Sequence, residues 1–91
     1  MSDAKLNQIR NDEKMKAAIQ VIEDMAERWP SNIVPRTAVP EFTGGLFSVG
    51  HLANCDSRRE GPEGSFCVGR CRVYPVRGLV HWLIKRIVVK H

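Results

Sequence analysis

No apolar run in this 91-residue chain approaches the roughly 20 residues that a membrane-spanning helix needs, so no membrane partner is expected. The N-terminus lacks the apolar core of a secretory signal. Cysteine is scarce, and its count of three is odd, so the chain cannot pair all of its own thiols. With no export signal, that usage fits a reduced, cytoplasmic protein. The chain is also too short for a second sizeable core or a deep pocket. A thiol nucleophile built from a cysteine with His51 or His81 would have little material around it. Neither an enzyme nor a cofactor is expected.

What is present is an uneven charge. The net charge is +4, with a pI near 9.3. Residues 1–35 carry five basic and six acidic side chains, whereas residues 36–91 carry nine basic and four acidic. The basic excess therefore lies wholly in the second part, as it does in many nucleic-acid-binding chains.

Residues 1–12 are polar apart from Leu6 and Ile9 and read as a flexible lead-in. Over residues 13–30 the pattern is helical. Met15, Ala18, Ile19, Ile22, Met25, Ala26 and Trp29 form one stripe, and Pro30 ends it. That stripe suits packing onto the rest of the chain or onto a second copy. Residues 31–37 read as an extended connector. A very short helix follows from Thr37 or Val39, with Pro40 in its first turn and Phe42 as its core anchor. Gly44 and Gly45 stop it, and Leu46 and Phe47 are expected to face the core. Ser48 caps the next helix. Leu52 and Cys55, with Val49 or Ala53, belong to that helix's inner face, while Ser48, Gly50, His51, Asn54, Ser57 and Arg58 fall mostly outside. Gly61-Pro62 ends the segment. The run from Phe66 to Tyr74 reads as a hairpin turning at Gly69-Arg70, with Phe66, Val68 and Val73 on one face. Pro75 opens a last helix, in which Val76, Leu79, Val80, Leu83 and Ile87 recur and Trp82 flanks them. For residues 87–91 both helix and extended chain stay open.

These residues resemble a known family. The ordered set is Thr43-Gly44-Gly45-Leu46-x-Ser48, Leu52-Ala53-Asn54, Gly61-Pro62, Val68-Gly69-Arg70, Val73-Tyr74-Pro75-Val76 and Leu79-Val80-x-Trp82-Leu83. It is similar to the excisionase and AlpA-like helix-turn-helix proteins of the MerR-like winged helix group, over about residues 36–86. The resemblance implies an α+β, mostly helical fold. Residues 36–91 would be a small winged helix-turn-helix with a two-stranded wing, preceded by an additional N-terminal helix. The helix from Ser48 to Arg58 would be the recognition helix and the 66–74 hairpin the wing. The chain departs from the family in its N-terminal extension, in Cys55 where an aliphatic residue is usual, and in Glu63-Gly64-Ser65 before the wing. Family members act in prophages and mobile elements as excision factors or transcription regulators. The implied partners are double-stranded DNA, further copies of the chain in a dimer or array, and an integrase.

Within that reading, Ser48 and the free amides beside it can hold a phosphate, and Gly50 allows close approach. His51, Asn54 and Arg58 are the candidates for reading bases, since Asn pairs bidentately with adenine and Arg with guanine. Arg70 and Arg72, with Arg59, would contact phosphates or the minor groove. The rival reading is a small zinc-binding module with ligands His51, Cys55, Cys67 and Cys71. A further rival is a protein-interaction module using the N-terminal helix. Zinc takes tetrahedral Cys and His sets, but a cysteine beside Leu52 on an inner face is more often a small hydrophobe.

Overall fold

The structure, a computed structural model, describes the backbone of residues 3–88 and the side chains of residues 12–88. Among these residues the order is α1 (Asp3–Arg28), β1 (Ile33–Pro35), a 3-10 turn (Arg36–Ala38), α2 (Val39–Phe42), α3 (Val49–Ser57), β2 (Phe66–Val68), β3 (Cys71–Pro75) and α4 (Val76–Ile84). The chain is thus a small α+β fold, four α-helices with one antiparallel sheet.

Helix α1 begins at Asp3, twelve residues before the apolar stripe does at Met15. The segment expected as a flexible lead-in therefore has helical backbone from Asp3 onward. No proline or glycine occurs before Pro30, and the early residues are mostly good helix formers, so nothing in the sequence stops the helix from extending N-terminally. Of the apolar stripe, Ile22, Met25, Ala26 and Trp29 are the residues packed against the core. At the other end of the chain, α4 stops at Ile84, residues 85–86 form a turn and 87–88 have no regular structure. The expected repeat through Ile87 thus leaves the helix early, and residues 89–91 lie outside those described.

The connector after α1 holds a strand that the sequence concealed. β1 pairs with β3, giving the order β1-β3-β2 and three strands where two were expected. Val34 lies opposite Tyr74, and both are fully buried. Trp29 Nε1 donates to Ile33 O at 2.8 Å, tying the end of α1 to this strand. Pro35 sits in an edge strand, where the missing amide disturbs no inner ladder. Gly69 turns the β2–β3 hairpin with φ 62°. Phe66 pairs with Val73 and Val68 with Cys71, so the expected shared face exists. Its burial is uneven, however. Val73 is buried, whereas Phe66 and Val68 are 45% and 60% exposed, because no described element covers their end of the hairpin.

The core joins Val34, Val39, Phe42, Leu52, Cys55, Tyr74, Leu79, Trp82 and Leu83. From α1, Ile22, Met25, Ala26 and Trp29 pack onto it, with Trp29 edge-on to Phe42 at 5.3 Å. Trp82, expected on the flank of α4, is buried instead, because its Nε1 finds the carbonyl of Glu60 at 2.8 Å. Gly78 lets the 60–64 segment cross α4 closely, since a Cβ there would lie 2.3 Å from Glu63 O. In the turn between α2 and α3, Thr43 Oγ1 donates to Val39 O at 2.8 Å and accepts from Phe47 N at 3.3 Å. Phe47 then meets Trp82 with ring centroids 4.9 Å apart. That fills the available space, and Leu46, also expected to face the core, is 76% exposed.

Two glycines of one helical chain should respond oppositely to alanine. Gly78→Ala forces the Glu63 backbone away and should destabilise by about 1–3 kcal/mol, as overpacking does. A Cβ on Gly50 would meet only Ser48 Oγ at 4.0 Å, so Gly50→Ala should stabilise by up to about 1 kcal/mol through helix propensity. Denaturant unfolding of both variants measures this; a Gly78→Ala variant as stable as the wild type would show that the loop does not cross there.

Candidate nucleic-acid interface

Helix α3 is built to present one polar face. Ser48 accepts from His51 N at 3.0 Å, closing the helix start. Phe47, just before that cap, packs onto the core that contains Leu52, as a hydrophobic staple does. Leu52 and Cys55 point inward and are buried. Ser48, Gly50, His51, Asn54, Ser57 and Arg58 are all exposed, as the spacing predicts.

The inner edge of α3 is fixed by a polar triad. Asp56 Oδ2 accepts from Tyr74 Oη at 2.6 Å and from Arg36 Nη2 at 2.6 Å. Arg36 Nε in turn donates to Tyr74 Oη at 3.0 Å. One carboxylate thus joins the 3-10 turn, α3 and β3. Gly61 leaves room for it, since a Cβ there would lie on top of the Asp56 carboxylate. Burial first, and the hydrogen bond to Asp56 second, push the Tyr74 hydroxyl up to about 12. The hydrogen bond to Tyr74, reinforced by Asp56, raises the Arg36 pKa, so its guanidinium stays charged.

The other candidates divide. Asn54 and Arg58 stand along the exposed face, with Arg58 Nε 3.5 Å from Glu60 Oε2. His51 is exposed but not free to reach outward, because its ring stacks on Phe47 at 5.2 Å and 29°. Arg70 lies exposed at the hairpin tip. Arg72 was expected to point outward beside it. In β3 it alternates onto the Tyr74 side of the sheet, is half-buried and donates to Ser65 Oγ at 3.3 Å. Arg59 takes a left-handed φ of 61°, which turns the chain after α3. That turn places it in a groove with Arg77, Lys85 and Arg86 of the α4 region, which Glu60 and Glu63 also line.

Neither Arg36 nor Asp56 is singled out by the sequence, and Tyr74 enters there only as a residue of the hairpin and the family motif. The sequence reading also passes over Arg77 and Lys85 and weighs His81 only as a thiol partner, although their four-residue spacing puts three exposed basic or titratable side chains on one face of α4. Arg86 completes that edge with its guanidinium 3.6 Å over the Trp82 ring.

The zinc candidates are not brought together. Cys55 is in the core, and Cys67 pairs across from Arg72 while Cys71 pairs across from Val68, which puts the two thiols on opposite faces of the hairpin. Among the described residues no group of three or more His, Cys, Asp or Glu side chains is placed to hold a metal ion. Nor is any described helix long and apolar enough to cross a membrane.

Tyr74 is the chain's only tyrosine, so its ionisation can be followed directly by tyrosinate absorbance. The folded protein should titrate near 12, against about 10 for an unstructured tyrosine. A raised folded-state value means that the triad's stabilisation is complete below the unfolded value. Stability should therefore be flat up to about pH 10 and fall between about 10 and 12, and Tyr74→Phe should lose that window. A tyrosine ionising at its ordinary value in the folded protein would rule the triad out. No protein-family model, curated protein or solved structure matches the chain.

Proposed function

We propose that this chain is a sequence-specific duplex-DNA-binding protein of winged helix-turn-helix design, acting in the cytoplasm as an excision factor or transcription regulator of a prophage or mobile element. One observation carries the reading. The Asp56–Tyr74 bond at 2.6 Å fixes α3 against β3, so the polar face of α3 and the cations of the hairpin share one frame. A helix that reads a groove beside a cationic hairpin that grips the neighbouring backbone needs that shared frame.

In this scheme α2, the Gly44-Gly45 turn and α3 form the helix-turn-helix, and the β2–β3 hairpin is the wing. Asn54 and Arg58 read base edges, Asn54 with the geometry for adenine and Arg58 for guanine. Ser48 and the α3 amides near it approach a phosphate. Arg70 reaches a phosphate or the minor groove from the wing tip, while Arg72 supports the wing through Ser65. Arg59, with Arg77, Lys85 and Arg86, forms a second cationic edge for the backbone. The excision role, and an integrase as partner, rest on the family resemblance.

Helix α1 supports a second copy as partner. Ile22, Met25, Ala26 and Trp29 pack onto the core, but Met15, Ala18 and Ile19 lie on the same stripe and are not among the residues packed there. Pairing of this part of α1 between two copies would cover it.

The two DNA contacts should separate in a salt titration on cognate and random duplexes. Asn54→Ala should lose about 1–3 kcal/mol on the cognate site and little on random DNA. Arg70→Ala should weaken both and reduce the slope of log affinity against log salt by about 1. Equal losses for Asn54→Ala on both duplexes would remove it from base reading. For α1, Ile19→Asp should shift sedimentation from dimer to monomer at tens of micromolar, on the order of concentrations where weak coiled pairing is populated; a wild-type monomer there excludes the second copy.

A further inference from the structure

Three features at one end of α3 have no use inside the fold. Leu46 is 76% exposed at the close of the preceding turn, and Val49, the first residue of the helix and a candidate for its inner face, is 37% exposed. Gly50 follows, with ordinary helical backbone and no atom within reach of an added Cβ except Ser48 Oγ at 4.0 Å. Neither packing nor backbone conformation requires glycine there, and glycine weakens a helix relative to alanine. One apolar side chain left in water, a second partly exposed and a third position with no side chain describe a surface shaped for an outside partner that comes close.

The surroundings select the partner. The exposed positions that continue along α3 are Asn54 and Arg58, and residues 36–91 carry nine basic against four acidic side chains. On the reading of α3 as a major-groove helix, its N-terminal residues come nearest the base edges. The one apolar group that a base pair shows in that groove is the C5-methyl of thymine. We infer that Leu46 and Val49 read thymine methyl groups in the major groove, with Gly50 allowing the helix end to approach the duplex. The inference rests on the DNA reading of α3 and adds a base preference to it. Asn54 and Arg58 report hydrogen-bonding edges, and the Leu46–Val49 pair reports methyls.

The test uses the full chain. Duplexes are selected from a random pool by the wild type, and the selected duplex is resynthesised with deoxyuridine in place of thymidine. That change removes each C5-methyl and keeps base pairing. The wild type should bind the uridine duplex about fourfold more weakly for each methyl it contacts. The double variant Leu46→Ser, Val49→Ala should bind the two duplexes equally. Leu46 is 76% exposed and Val49→Ala removes only two methyl groups at a 37% exposed position, so the variant should keep its fold, which thermal unfolding checks. Equal binding of both duplexes by the wild type overturns the inference and leaves α3 as the reader. A uridine penalty that persists unchanged in the variant overturns it as well. A chain that selects no duplex overturns the DNA reading together with this inference, and leaves the patch to a protein partner.

Discussion

A single carboxylate oxygen holds the molecule's working parts in register. Asp56 Oδ2 receives both the Tyr74 hydroxyl and the Arg36 guanidinium at 2.6 Å. Charge-assisted hydrogen bonds of this kind contribute about 1.5–3 kcal/mol each. Removing the carboxylate would leave a largely buried hydroxyl and guanidinium without their acceptor, the situation that costs about 3–5 kcal/mol when a buried pair is broken. The larger consequence is geometric. Arg36 follows β1, Asp56 lies near the end of α3 and Tyr74 lies in β3, so the triad sets the angle between helix and sheet. Apolar packing alone, which is non-directional, would hold the same elements together without fixing that angle.

A second seam holds the other side of α3. Phe47, His51 and Trp82 form an aromatic cluster, and Trp82 is anchored to the carbonyl of Glu60. Arg86 covers the Trp82 ring and also donates to Glu60 O at 3.4 Å. The segment after α3 is therefore pinned to α4 at Glu60 and presses on it at Gly78. Between triad and seam, α3 is fixed along its length and keeps only its polar face free. The cations that follow from this arrangement fall in two places, Arg70 at the hairpin tip and the row with Arg59 along α4.

What the sequence showed was local. The Ser48 cap, the buried Leu52 and Cys55, the turn at Gly69 and the stripe of α1 each depend on residues a few positions apart, where periodicity and capping rules apply. What it hid depends on distant pairing. Val34 becomes a strand residue because Tyr74 lies across from it, and Arg36 matters because its partners are 20 and 38 positions away. Asp56 carries no local signal on α3, and its role exists only once Tyr74 arrives. Leu46 and Phe47 are neighbours of similar hydrophobicity, and only the packing of Phe47 on Trp82 decides which of them stays in water. Arg59 and Arg72 were legible as cations, but their direction was set by a left-handed backbone in one case and by strand alternation in the other.

In the proposed function, the triad and the aromatic seam hold α3 and the hairpin so that both meet the same duplex. Amide chemical-shift mapping of the full chain with a selected duplex measures this most directly. The account predicts perturbations at Ser48, Gly50, Asn54 and Arg58 of the α3 face and at Arg70 of the hairpin tip, appearing together at the same DNA ratio. Perturbations confined to α1, with the α3 face and the hairpin tip silent, would contradict it.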